Sequence, residues 1–131
     1  MPLLYETDKL ILENSYETTW LKEKTTGKVL FEDEFYGDPQ CGLIDQENRW
    51  AIAAGDHLTI WTPKKTKRIE DGNLKCAHSI RLKNPDTVEI LTDPWSINSS
   101  VWEMNIRTFE VQKIRDFNDY RGKEYTEDVI W

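Results

Sequence analysis

Three tryptophans, Trp20, Trp61 and Trp102, are spaced by 41 residues, twice in succession. A fixed period constrains a fold more tightly than composition does, because each copy must be one small unit stacked on its neighbours. The flanks partly repeat as well. An apolar strand candidate precedes each tryptophan: Asp8–Leu12, Asn48–Ile52 and Asp86–Ile90. A polar turn follows each of these at Glu13–Ser15, Gly55–His57 and Asp93–Ser96, and the Trp-bearing strand comes next. Behind the first two tryptophans lie turns rich in Lys and Thr, then return strands at Val29–Asp33 and Arg68–Asp71; in the third copy Arg107–Val111 takes that place.

Short strands punctuated by turn signals every 8 to 12 residues are the all-β signature. Six Trp, five Tyr and four Phe in 131 residues agree with it, since sheets favour aromatics. Further strands are expected at Gly42–Ile44 and Cys76–Leu82, a helical turn or two within Val111–Asp119, and a closing strand at Glu124–Trp131. Ile60-Trp61 and Thr26-Gly27-Lys28-Val29 resemble the tryptophan–aspartate propeller repeat. The chain departs from that family in lacking its Gly-His start and in having three copies. The expectation is one all-β domain over residues 1–131, with antiparallel strands in three degenerate blade-like repeats of 41 residues. A propeller-like ring, a half-open barrel and a sandwich all satisfy it.

In such repeats, turns alternate between two ends of the sheets. Turns after the Trp strand gather Lys22, Lys24, Lys28, Lys64, Lys65, Lys67 and Arg68; the other end gathers Glu13, Glu32, Asp33, Glu34, Asp38, Asp56, Glu70, Asp71, Asp93, Asp116 and Asp119. The sequence therefore predicts opposite charge on two faces. The net charge of −7 argues against nucleic acid and anionic lipid as partners. It favours encounter with a basic protein. Aromatics among the acids, Tyr36, Trp95, Phe117 and Tyr120, suit a binding hot spot as a group, while any single one is better read as a core or staple residue.

Catalytic chemistry finds little footing. Cys76-x-His78 would share a strand face, but no orienting third group or oxyanion donor accompanies it. Two Cys and two His lack the chelating spacing of a zinc site. Glu32 and Glu34 belong to an acidic run with Asp33, and the six glycines are scattered one to a turn rather than gathered into a phosphate loop. No cofactor, metal or enzyme activity is expected. The opening Met1-Pro2-Leu3-Leu4-Tyr5, followed at once by Glu6 and Asp8, lacks the pattern of a secretory signal, and no apolar run is long enough to span a bilayer. The expected residence is cytoplasmic with free thiols, which leaves the sequon Asn98-Ser99-Ser100 unused.

In size, acidity and absence of catalytic apparatus the chain resembles, in type, small acidic bacterial immunity proteins that neutralise toxins. The resemblance implies a non-catalytic role, with acidic loops covering the active site of a basic, nuclease-like toxin domain. The partner-binding residues expected from charge and aromaticity are Asp33, Glu34, Tyr36, Asp38, Asp71, Asp93, Trp95, Asp116 and Asp119. Two alternatives remain: a small-ligand or carbohydrate module in which Trp50, Trp95 and Tyr36 stack on rings, and a structural module that docks through its tail.

Overall fold

The computed structural model describes residues 3–131; Met1 and Pro2, from which the leaderless reading starts, lie outside the described residues. The fold is all-β, in three four-stranded antiparallel sheets, each a simple meander. The first holds β1 (Leu3–Glu6), β2 (Leu10–Ser15), β3 (Thr18–Glu23) and β4 (Val29–Glu34). The second holds β5 (Cys41–Ile44), β6 (Ala51–Ala54), β7 (Leu58–Thr62) and β8 (Lys65–Ile69). The third holds β9 (Ala77–Asn84), β10 (Thr87–Thr92), β11 (Ser100–Asn105) and β12 (Val111–Asp116). A single 3-10 turn, Gly72–Leu74, is the only helical piece among the described residues, so no helix there is long and apolar enough to cross a membrane.

The tryptophan period marks equivalent positions: Trp20, Trp61 and Trp102 lie on the third strand of their sheets. Three local expectations fail. Val111–Asp116 is a strand, because its backbone pairs with β11 and a ladder outweighs the three-residue spacing of Val111, Ile114 and Phe117. The third return strand is therefore this segment, and Asn105–Glu110 is the turn, closed by Asn105 N–H donating to the Glu110 carbonyl at 2.9 Å. Glu124–Trp131 forms no strand. Instead Val129, Trp131 and Tyr120 pack over Leu91, Val101 and Phe117, covering a face of the third sheet rather than extending its edge.

The second sheet lies between the other two, and β6 shows why. Its sequence, Ala-Ile-Ala-Ala, is buried at every position. Successive side chains point to opposite faces. Ala51 and Ala53 meet Leu12, Leu21 and Phe31 of the first sheet, whereas Ile52 and Ala54 meet Val88, Ile90 and Met104 of the third. A strand with no solvent face reads as a continuous apolar run. Close approach also dictates Gly42 in β5, where a Cβ would come within 2.5 Å of Leu12 Cδ2 and 3.2 Å of the Ile52 carbonyl oxygen. Gly42→Ala would overpack this seam and cost about 1–3 kcal/mol.

Turns at matching ends of the three sheets are tied together. At one end Thr7 and Asp8 bond the side chain of Asn48, and the Trp50 indole N–H donates to the Pro85 carbonyl at 3.2 Å. At the other, the Tyr36 N–H donates to Asp56 at 3.1 Å and the Ala77 N–H to the Gly55 carbonyl at 3.3 Å. The sheets thus share a common pair of ends.

Only half of the expected charge polarity holds. At the Tyr36 end, the inter-strand turns carry Glu17, Asp38, Asp56, Glu70, Asp71 and Asp93 against Lys75 alone. The opposite end is mixed: Lys9, Lys24, Lys28, Arg49, Lys64 and Arg107 are offset by Asp8, Asp45, Glu47, Asp86 and Glu110. Two of these pairs are direct, Arg49–Asp45 at 2.6 Å and Arg107–Asp86 at 3.5 Å. The turns leading into the second strand of each sheet share that end and bring acids with them. Arg68, expected among the basic turns, sits opposite Thr59 near the far end of β8 and binds Asp33 at 3.1 Å.

Candidate functional site: an acidic, aromatic cleft

The acidic end is hollowed where the first, second and third sheets connect. A cleft of about 410 Å³ is lined by Tyr36, Gly37, Asp38 and Gln40 from the β4–β5 connection and by Gly55 and Asp56 from the β6–β7 turn. Lys75, Cys76, Ala77 and His78 enter from the start of β9, Asp93 and Trp95 from the β10–β11 turn, and Tyr125 from the tail. Each polar wall is fixed by its own turn. Asp93 accepts from the Trp95 N–H at 3.1 Å, setting the loop that presents the indole. Asp56 accepts from the Tyr36 N–H and from His57 Nδ1 with one oxygen, leaving its second carboxylate oxygen without a partner among the described residues.

The aromatic wall centres on Trp95. Tyr125 lies 4.9 Å from it between ring centroids, His78 meets it edge-on at 5.6 Å, and Tyr120 stands behind at 6.3 Å. The Trp95 indole N–H donates to the Glu124 carbonyl at 3.3 Å, anchoring the tail to this wall. Tyr36 projects almost free, 89% exposed.

Beneath the cleft, the turn is held by a buried charge network. His57 is 1% exposed, stacked on Phe35 at 4.1 Å, with Nε2 at 2.8 Å from Asp33 and Nδ1 at 3.0 Å from Asp56. Asp33 also accepts from the Thr59 hydroxyl and from Arg68. Burial opposes ionisation of Asp33, but hydrogen bonds from Thr59, His57 and the Glu34 N–H outweigh it and hold the carboxyl below the ordinary range.

The nine residues expected from the sequence therefore separate. Tyr36, Asp38, Asp93 and Trp95 come together in the cleft. Asp33 faces inward as a keystone between the first two sheets, and Glu34 is exposed beside it. Asp71 caps the 3-10 turn by accepting the Asn73 N–H at 2.9 Å. Asp116 is paired with Lys113 at 2.5 Å, whose ammonium draws its carboxyl below the ordinary value, and it lines a neighbouring cleft of about 580 Å³. Lys75, Lys113 and Arg121 offset Asp93 and Asp116 there. Asp119 lies exposed on the tail, outside both clefts. Asp56 and Tyr125 were not foreseen as site residues. The Gly-Asp-His turn signal pointed to the first; nothing in the sequence placed the second.

Cys76 and His78 both line the cleft, but the His78 ring nitrogen Nδ1 is engaged by the Ser79 hydroxyl at 2.7 Å. Burial, opposed by Asp93, holds His78 below the ordinary imidazole value, so it brings no positive charge to the cleft at neutral pH. Cys41 faces the core and burial pushes its thiol up to about 12, which removes thiolate reactivity. Among the described residues no group of three or more His, Cys, Asp and Glu is arranged to hold a metal ion. What remains is a net acidic recess: three carboxylates, one ammonium and an aromatic wall.

No protein-family model matches the chain, and no curated protein matches it.

Proposed function

We propose that this chain is a non-catalytic, cytoplasmic binding protein of the bacterial immunity type. It neutralises a basic, nuclease-like toxin by laying the acidic end of its sheets over the toxin's substrate cleft. The observation that carries this reading is the convergence of Tyr36, Asp38, Asp56, Asp93 and Trp95 on one recess at the end with a single turn lysine. Clustered anionic loops accelerate encounter with a cationic surface, and an aromatic among them supplies the contact area that charge alone lacks. The three sheets are taken as three blades of a propeller-like arc. In support, Trp61 packs in the core shared with the first sheet and Trp102 in the core shared with the second, so in the second and third sheets the Trp turns toward the preceding sheet.

The test is co-expression with the product of the gene immediately upstream in the native host. Growth protection, and a complex that dissociates as salt rises, would support the reading. A complex unaffected by charge reversal at Asp38 and Asp93 would overturn it.

A second reading has its own observation. A recess of about 410 Å³ walled by Trp95 and Tyr125 is large enough for a small ligand or a sugar ring. Trp50 takes no part: it is 3% exposed with its N–H committed to Pro85. Binding of this kind would be insensitive to salt.

A further inference from the structure

We infer that the cleft is an anchor site for one arginine side chain of the protein partner. This rests on the reading of the acidic end as a partner surface and adds what that surface grips.

Two features of the cleft select the ligand. The first is material: Trp95 and Tyr125 form a tilted aromatic pair 4.9 Å apart, and the freely exposed Tyr36 lines the same recess. Planar guanidinium stacks on such faces and tolerates partial desolvation better than ammonium. The second is net negative charge, three carboxylates against the single lysine Lys75. Asp38 and Asp93 make no ion pair with Lys or Arg among the described residues, and Asp56 meets only the buried His57. Several acids on or next to the strands are paired instead: Arg68 binds both Asp33 and Glu70, Arg81 binds Glu89, and Lys83 binds Glu103. A neutral sugar would leave these three carboxylates offset by Lys75 alone. A forked cation bridges two of them while its stem lies along the indole.

Guanidinium, rather than any cation, is the occupant because this chain already seats one in the same manner. The Arg81 guanidinium lies 4.0 Å over the Trp131 ring while its Nε donates to Glu89 at 2.8 Å. The cleft brings the same two kinds of group together in its lining, an indole and carboxylates, with Tyr125 against the Trp95 ring and Lys75 beside them.

The probe is N-acetyl-arginine amide, titrated at low salt into the 15N-labelled chain, with the citrulline analogue as an isosteric neutral control. The expected result is a saturable shift of the Trp95 indole N–H and of the Tyr36, Gly37 and Asp56 amides, with citrulline inert. Asp38→Asn with Asp93→Asn should raise the half-saturation concentration about tenfold or more. Trp95→Leu, which leaves the carboxylates in place, should raise it about fivefold; unchanged core resonances of Leu12, Ile60 and Ile90 verify folding in both. Citrulline binding as well as arginine, or arginine shifts spread evenly over all exposed acids, would overturn the inference. So would loss of partner retention on charge reversal at Asp38 and Asp93 in a chain that shows no saturable arginine response, and in that case the acidic surface would stand without its anchor. Retention that survives the charge reversal would instead remove the surface itself.

Discussion

The two ends of the sheets are built from the same kinds of turn and differ in what they do with charge. At the Asn48 end, basic and acidic turn residues are nearly balanced and two pairs are direct, Arg49 with Asp45 and Arg107 with Asp86. At the Tyr36 end, Asp33 and Asp56 hold the buried His57; Glu17, Glu70 and Asp71 are engaged by the Gly37 N–H, Arg68 and the Asn73 N–H; and Asp38, Asp56 and Asp93 line a cleft. Neutralised turns of the first kind suit a solvated surface. The cleft acids are offset by Lys75 alone, which is the arrangement of a contact surface. What matters is therefore how each acid is satisfied, more than how many there are.

The sharpest way to break the comparison is to remove the support. His57→Leu leaves Asp33 and Asp56 without their shared partner and is expected to cost about 3 kcal/mol of stability. A fall in Tm of roughly 10 °C in a thermal melt would match. The counterpart at the other end, Asn48→Gly, suits the left-handed backbone there (φ 59), removes the clip to Thr7 and Asp8, and should cost only about 1 kcal/mol. Equal losses would mean that the buried network is not special.

Charge reversal sharpens the functional side. Asp38→Lys with Asp93→Lys is expected to weaken partner binding about 100-fold, whereas Lys24→Glu with Lys64→Glu should change it less than about twofold. Surface plasmon resonance at two salt concentrations reads both. Salt should narrow the first difference and leave the second flat.

The smallest effect concerns acid. Because Asp33 is held below its unfolded value, near 3.9, it contributes stability that is complete above that pH and lost as pH falls through the folded value. Asp33→Asn should therefore unfold less steeply below about pH 4 than the parent does, measured by circular dichroism. An unchanged acid limb would show that the shift carries no weight in folding.

The repeat was legible because a tryptophan marks the same strand in each sheet, and because apolar runs such as Leu10–Leu12 stand between polar turns. β1 was not, since Leu-Leu-Tyr-Glu is four residues long and does not alternate. The tail misled for a related reason: Val129 and Trp131 satisfy their apolar surface against a sheet face, and face packing leaves no periodic trace. Tyr36, Asp38, Asp93 and Trp95 could be gathered from turn positions alone. Asp33 could have been told apart from Glu32 and Glu34, because residues two apart share a strand face and Phe31 is core. Arg68 was misplaced by counting a strand residue as part of the turn before it.

The asymmetry between the ends can be measured residue by residue. Amide relaxation enhancements from a cationic and an anionic nitroxide of equal size report the local potential at each backbone N–H. The account predicts cation-to-anion ratios well above unity at residues 36–40, 55–57 and 93–96, and ratios near unity at residues 24–28, 63–64 and 85–86. Similar ratios in the two sets would contradict it.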